Sequence, residues 1–261
     1  MIAMRLGISR VVLAVCALCL SQLVRADEIL VAVAANFTDA SRELAALFTD
    51  TTGHRARLSY GSTGKLYAQI EHGAPFDVFL AADRQRPALA EQNGLAVTGS
   101  RFTYARGKLV LWSPHPDAFE DGEIYLNQAP TTPLAIANPR TAPYGLAARQ
   151  TLESLTLWTT WQPRLVRGDS IAQAFQFVAT GNAGAGFVAL SQVSAWPDPV
   201  GSVWPVPETL YQPIEQQAVL LTRAQHNPVA RAWMQFLRGE PAQAVIRRYG
   251  YATDSPNDAD G

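Results

Sequence analysis

Along this chain, short apolar runs alternate with stretches of helical period. ILVAVAA at 29–35 has the length and continuity of a buried strand. SRELAALF repeats apolar residues at helical spacing, so 39–48 is predicted as a helix, ending by Gly53. The theme recurs. A strand over 56–60 runs through GSTG into the helical KLYAQIEHG, and an apolar strand over 76–82 precedes ADRQRPALAEQNG. Further strands are predicted at 108–114 and 132–139, the latter leading through RTAPYG into LAARQTLESL. LVRGDSIAQAFQFVATG is a short strand and a helix, AGFVALSQV a strand and a turn, QQAVLLTRA a strand, and helices follow over 227–239 and 241–251. Residues 195–213, rich in proline and tryptophan, read as a loop. Such alternation predicts an α/β architecture with largely parallel sheets.

One device recurs four times: an apolar strand gives way to a helix through a short polar segment, at NFTD (36–39), GSTG (61–64), TAPYG (141–145) and GDS (168–170). Each could be no more than a helix cap, since Asn, Thr, Ser and Asp are the preferred cap residues. Together they have a second meaning. Helix starts at strand ends present unpaired N–H groups and the positive end of the dipole, and ligands of α/β folds sit outside those strand ends. The pattern alone therefore points to a binder of an anion or a polar small molecule.

Composition narrows this. MIAMRLGISR, the apolar segment 11–20 and Val24-Arg25-Ala26 form a secretory signal peptide over 1–26, with cleavage expected after Ala26. Both cysteines, Cys16 and Cys19, fall inside it. Val15 and Leu18 precede them where a lipoprotein signal would carry a small residue, so the expectation is a periplasmic chain with no thiolate. Removing the leader takes away three arginines and no acid, so 18 basic residues face 22 acidic ones, a net charge of −4. That excludes a basic nucleic-acid surface and means that any bound anion is held by local dipoles. The tail over 252–261 has the composition of a disordered acidic segment.

Catalytic signatures fail on inspection. YGSTGKLY lacks the first glycine of a phosphate loop, where Ser59 stands, and has Leu66 after the lysine. GNAGAG has the wrong spacing for a dinucleotide fingerprint, and His54, His72, His115 and His226 are scattered. Trp112 and Trp233 sit in core patterns, and Trp196 and Trp204 are assigned to packing.

VAVAANFTDA, YGSTGKLYAQIEHGAPFDVFLAADRQRPALAEQNGLA, LAIANPRTAPYGLAARQTL and the closing RRYGY resemble, in order and over nearly the whole mature chain, the periplasmic molybdate-binding proteins of ABC-type importers. The resemblance implies the type II periplasmic-binding-protein fold: two α/β lobes joined by a two-segment hinge, crossing near 106–108 and 216–217. Lobe I would be 27–107 plus 217–251, and lobe II 108–216. It further implies a monomer without catalysis or cofactor, delivering molybdate or tungstate to a membrane permease and its ATPase. On the family's pattern the oxyanion would meet Asn36, Ser62, Thr63, the backbone and phenol of Tyr144, and the N–H of Ile171. Ala189 stands where some relatives carry a tyrosine. Asp169 is expected to face away as a cap, and Thr38 or Asp39 to cap the first helix. A receptor for another oxyanion such as sulfate, a non-transport sensor, and an exported α/β hydrolase are the competing readings.

Overall fold

The computed structural model describes residues 27–253; the expected leader and residues 254–261 of the expected tail lie outside that range. Two five-stranded sheets, each covered by helices, form two lobes. The first sheet has the order β2-β1-β3-β10-β4, from β1 (Glu28–Ala34), β2 (Arg55–Gly61), β3 (Val78–Ala81), β4 (Phe102–Gly107) and β10 (Ile214–Leu220). The second has the order β7-β6-β8-β5-β9, from β5 (Leu109–Ser113), β6 (Leu134–Ala137), β7 (Leu165–Gly168), β8 (Ala185–Ala189) and β9 (Ser202–Pro205). Buried β1, β3, β6 and β8 are the near-continuous apolar runs of the sequence, as strands covered on both faces must be.

The sheets are mixed rather than largely parallel. In the first, β1 pairs parallel with β2 and β3, whereas β10 is antiparallel to β3 and β4. In the second, β6 pairs parallel with β7 and β8, whereas β5 is antiparallel to β8 and β9. The antiparallel strands flank the lobe-to-lobe crossings, where the chain leaves or re-enters a sheet. The first crossing needs only Lys108, between β4 and β5. The second lies earlier than the sequence placed it: the chain leaves the second sheet at Pro205 and joins the first at Ile214, opposite Gly107. Ile214 belongs to the first sheet by backbone pairing, yet its side chain is buried in the second lobe's core. Hydrophobicity could not separate the two. The loop expected over 195–213 contains β9, an edge strand whose position tolerates Pro205.

Four helices start at strand ends: α1 (Thr38–Thr52), entered through a 3-10 turn over Ala35–Phe37; α2 (Thr63–Glu71); α5 (Pro143–Ser154); and α7 (Ile171–Ala179). Between them lie α3 (Gln85–Gln92), α4 (Gly122–Gln128) and the single turn α6 (Trp158–Trp161). The short α8 (Leu190–Ser194) follows β8, and α9 (Pro228–Arg238) and α10 (Glu240–Arg248) pack under the first sheet. Trp112 and Trp233 are core residues, and Trp196 packs on Trp112 and Phe175.

Contacts cross between the lobes on the side of the four helix starts. Gly64 donates its N–H to the Thr141 carbonyl at 2.8 Å, Arg86 Nη2 donates to the Arg140 carbonyl at 3.2 Å, and Lys65 Nζ pairs with Asp169 at 2.7 Å. A Cβ on Gly64 would lie 3.1 Å from the Thr141 backbone, so a side chain there would press the lobes apart.

Candidate functional site

The four helix starts enclose one cavity. Ala34, Ala35, Asn36, Ser62, Thr63, Ala82, Ala142, Pro143, Tyr144 and Ile171 line it. All five residues singled out in the sequence meet here, two lobes contributing to one wall. None of the lining residues carries a charge.

At three of the four junctions the residue before the helix start gives no side-chain cap, as is also the case at α6 and α10 outside the cavity. Among the described residues, no side chain accepts from the first turn of the Ala35–Phe37 segment, of α1, of α2 or of α5. Each missing cap forgoes about 1 kcal/mol of helix stability. Thr38, expected as a cap, instead donates its hydroxyl to the Ala35 carbonyl at 2.8 Å, and Asp39 pairs with Arg42. At α7 the cap is Ser170, which accepts from Gln173 N at 3.3 Å, and not Asp169. Asp169 does face away from the cavity, exposed and ion-paired with Lys65.

The hydroxyls follow the same rule. Ser62 Oγ is buried and has no hydrogen-bond partner among the described residues. Thr63 Oγ1 accepts from Ala82 N at 3.0 Å, and among the described residues nothing accepts its hydrogen. Tyr144, 1% exposed, has a phenol oxygen that accepts from Gln216 Nε2 at 3.3 Å, and its hydrogen too meets no acceptor there. Burial pushes that phenol well above the usual tyrosine range, so it is protonated at neutral pH. A buried polar hydrogen without an acceptor costs about 1–3 kcal/mol, and all three of these residues line the cavity.

Asn36 departs from expectation in its side chain. Its amide Nδ2 donates to Gln216 Oε1 at 2.8 Å and to Tyr251 OH at 3.0 Å, away from the cavity, so what it can offer inward is backbone. Behind it lies a buried polar layer that sequence reasoning did not pick out. Tyr251 OH donates to the Asn36 carbonyl at 2.7 Å, Ser191 Oγ to the same carbonyl at 3.0 Å, and Tyr104 OH to Gln216 Oε1 at 3.1 Å. The closing RRYGY was a signal for Tyr251, whereas nothing in the pattern marked Gln216. Ala189, where a tyrosine was absent, is a buried residue preceding α8. Groups of acidic, histidine or cysteine residues able to hold a metal ion are absent among the described residues. The arrangement can surround a small solute that only accepts hydrogen bonds.

Comparison with known proteins agrees in length and order. A family model described as bacterial extracellular solute-binding protein matches residues 29–252. The chain is 51% identical over 251 residues to the molybdate-binding protein ModA of Azotobacter vinelandii, covering 95% of this chain and 99% of that protein. It is 48% identical over 229 residues to ModA of Rhodobacter capsulatus, 88% of this chain and 90% of that one. The solved structure of the Azotobacter vinelandii periplasmic molybdate-binding protein superposes with a TM-score of 0.83 at 41% identity, over 87% of this chain and all of that one.

Proposed function

The chain belongs to the bacterial extracellular solute-binding proteins and, among them, to the molybdate-binding family, and on that footing we propose that it captures molybdate in the cavity between its lobes. The observation that carries the reading is the convergence of poorly capped helix starts and acceptor-less hydroxyls on one uncharged space.

The chemistry matches donor to acceptor. Molybdate at neutral pH is a fully deprotonated tetrahedral dianion, so every oxygen accepts and none donates. The hydroxyls of Ser62, Thr63 and Tyr144 and the backbone N–H groups of Asn36, Tyr144 and Ile171 serve as donors, and hydrogen bonds to an ionised acceptor are roughly twice as strong as neutral ones. Each helix start is equivalent to about half a positive charge. Four together bring about +2 to one place, offsetting the dianion without a lysine or arginine in the wall. A pocket without an inward acceptor disfavours a protonated oxyanion such as hydrogen phosphate. Tungstate, of the same charge and shape, is held in the same way.

The lobe-to-lobe contacts at Gly64–Thr141, Arg86–Arg140 and Lys65–Asp169 form on the cavity side, so they enclose the solute. Capture without turnover, in the periplasm and as a monomer, for hand-over to an ABC permease and its ATPase, completes the reading; the leader that would direct export lies outside the described residues.

Thermal unfolding in the presence of molybdate, tungstate, sulfate and phosphate tests it. A ligand at 1,000 times its Kd adds about 4 kcal/mol, equivalent to roughly 8–16 °C in Tm for a protein of this size. The expected result is a rise of this order with molybdate and tungstate only. Stabilisation by sulfate or phosphate but not molybdate contradicts the assignment.

A further inference from the structure

We propose that Gln216 is a positioning residue that sets the polarity of the pocket: it ends a one-way chain of hydrogen bonds that leaves the Tyr144 phenol hydrogen free for the ligand. This rests on the oxyanion-binding reading above and adds a residue that never touches the solute.

The direction of the chain is fixed at its far end. The Asn36 carbonyl can only accept, and Tyr251 OH is 2.7 Å away, so the single phenol hydrogen of Tyr251 goes there. Of its two other neighbours, Ser191 Oγ at 2.9 Å gives its own hydrogen to the same carbonyl, so the Tyr251 oxygen accepts from the Asn36 side chain at 3.0 Å, which makes the facing atom the NH₂ of that amide. The same NH₂ donates to Gln216 at 2.8 Å, so Gln216 presents its carbonyl, Oε1, toward Asn36; Tyr104 OH donates to that oxygen at 3.1 Å. The Gln216 amide is thereby turned with its Nε2 toward Tyr144, 3.3 Å from the phenol oxygen. With that oxygen engaged as an acceptor, the Tyr144 hydrogen has the cavity left to it.

The adjoining ends of β4 and β10 are built around this arrangement. Gln216 is fully buried on β10, where the pairing with β4 shifts register between Gln216 and Gln217. A Cβ on Gly107, the last residue of β4, would lie 2.0 Å from Tyr144 OH and 2.7 Å from Gln216 Nε2, so only glycine leaves room for their contact. Tyr104 and Asn36 belong to the first lobe and Tyr144 to the second, so Gln216 joins a donor on one lobe to the ligand wall of the other.

The groups facing Gln216 do not titrate near neutrality. They are the phenols of Tyr104, Tyr144 and Tyr251, all raised by burial. Asp83 and Asp39 act on Tyr104 and Tyr251 through space and are paired with Arg86 and Arg42. Glu215, next along β10, points to the opposite face and pairs with Arg84 and Arg106.

Gln216→Glu tests the proposal by calorimetric titration with molybdate at pH 8.5 and 6.0, with the unsubstituted protein alongside at each pH. Ionised, the glutamate accepts from all its neighbours and draws the Tyr144 hydrogen out of the pocket. Protonated, it has one carbonyl and one donor, as glutamine does, and burial raises its pKa toward the test range. The ratio of wild-type to variant affinity is expected to fall at least tenfold from pH 8.5 to 6.0. Gln216→Met, uncharged and similar in volume, supplies the second arm. It is expected to weaken binding fivefold or more alone, but less than twofold in a Tyr144→Phe background. A pH-independent ratio, or equal losses in both backgrounds, overturns the role of Gln216. Absence of molybdate binding by the unsubstituted protein overturns the functional reading instead.

Discussion

Ser62→Ala is expected to weaken molybdate binding by about 10- to 150-fold while leaving the empty protein as stable as before or slightly more so. The reason lies in the state of Ser62 Oγ without ligand: it is buried and finds no partner among the described residues. Removing it therefore breaks no bond of the empty protein and relieves an unsatisfied polar group. Its value appears only when an ionised acceptor enters, and a hydrogen bond to a charged group contributes about 1.5–3 kcal/mol. At 1.4 kcal/mol per factor of ten, that is the stated loss. Titration calorimetry and an apo melting curve read the two quantities separately. An apo Tm lowered together with the affinity would mean that Ser62 is a structural residue.

Gly107→Ala is expected to act on both quantities. The added methyl would sit 2.0 Å from Tyr144 OH and 2.9 Å from its Cζ, so the phenol has to leave its place or β4 has to shift. Over-packing of a tight interior costs about 1–3 kcal/mol, a fall of roughly 2–12 °C in Tm for a protein of this size. Displacing the phenol also removes a donor from the cavity wall, so molybdate affinity is expected to fall tenfold or more. Melting curves with and without ligand check both. Near-normal Tm and affinity would mean that the end of β4 tolerates a side chain where the geometry allows none. Gly64, whose Cβ would meet the Thr141 backbone at 3.1 Å, has a looser fit.

Much of this was legible in the sequence, and the reasons differ by residue. ILVAVAA and LAIA are continuous apolar runs because β1 and β6 are buried on both faces, and such runs are hard to mistake. Gly53, Gly73 and Gly94 all take positive φ at or just beyond helix ends, as their positions predicted. Two of the four edge strands, β4 and β9, were missed, whereas β2 and β7 were predicted. β4 and β9 each border one sheet, where one side faces no partner strand, so FTYARG and SVWP carry polar residues and a proline that blur the two-residue period. The helix α4 was overlooked although Asp121 caps it at 2.9 Å.

At the site, which residues meet was readable; what each does was not. Four strand-to-helix junctions in one α/β chain already pointed to a shared ligand place. Whether Asn36 aims its amide at the cavity or at Gln216 depends on a partner 180 residues away. The same holds for Asp169, drawn off by Lys65 from the other lobe, leaving Ser170 as the cap. Long-range pairs decide such roles, and local spacing carries no record of them.

The central claim is that uncharged donors on helix starts hold the dianion, and a crystal structure with molybdate bound tests it most directly. The account predicts the anion in the cavity between the lobes. Its oxygens would lie about 2.7–3.2 Å from Ser62 Oγ, Thr63 Oγ1, Tyr144 OH and the backbone nitrogens of Asn36, Tyr144 and Ile171. Molybdate bound elsewhere, or held in the cleft by the Lys65 or Arg86 side chain, would contradict it.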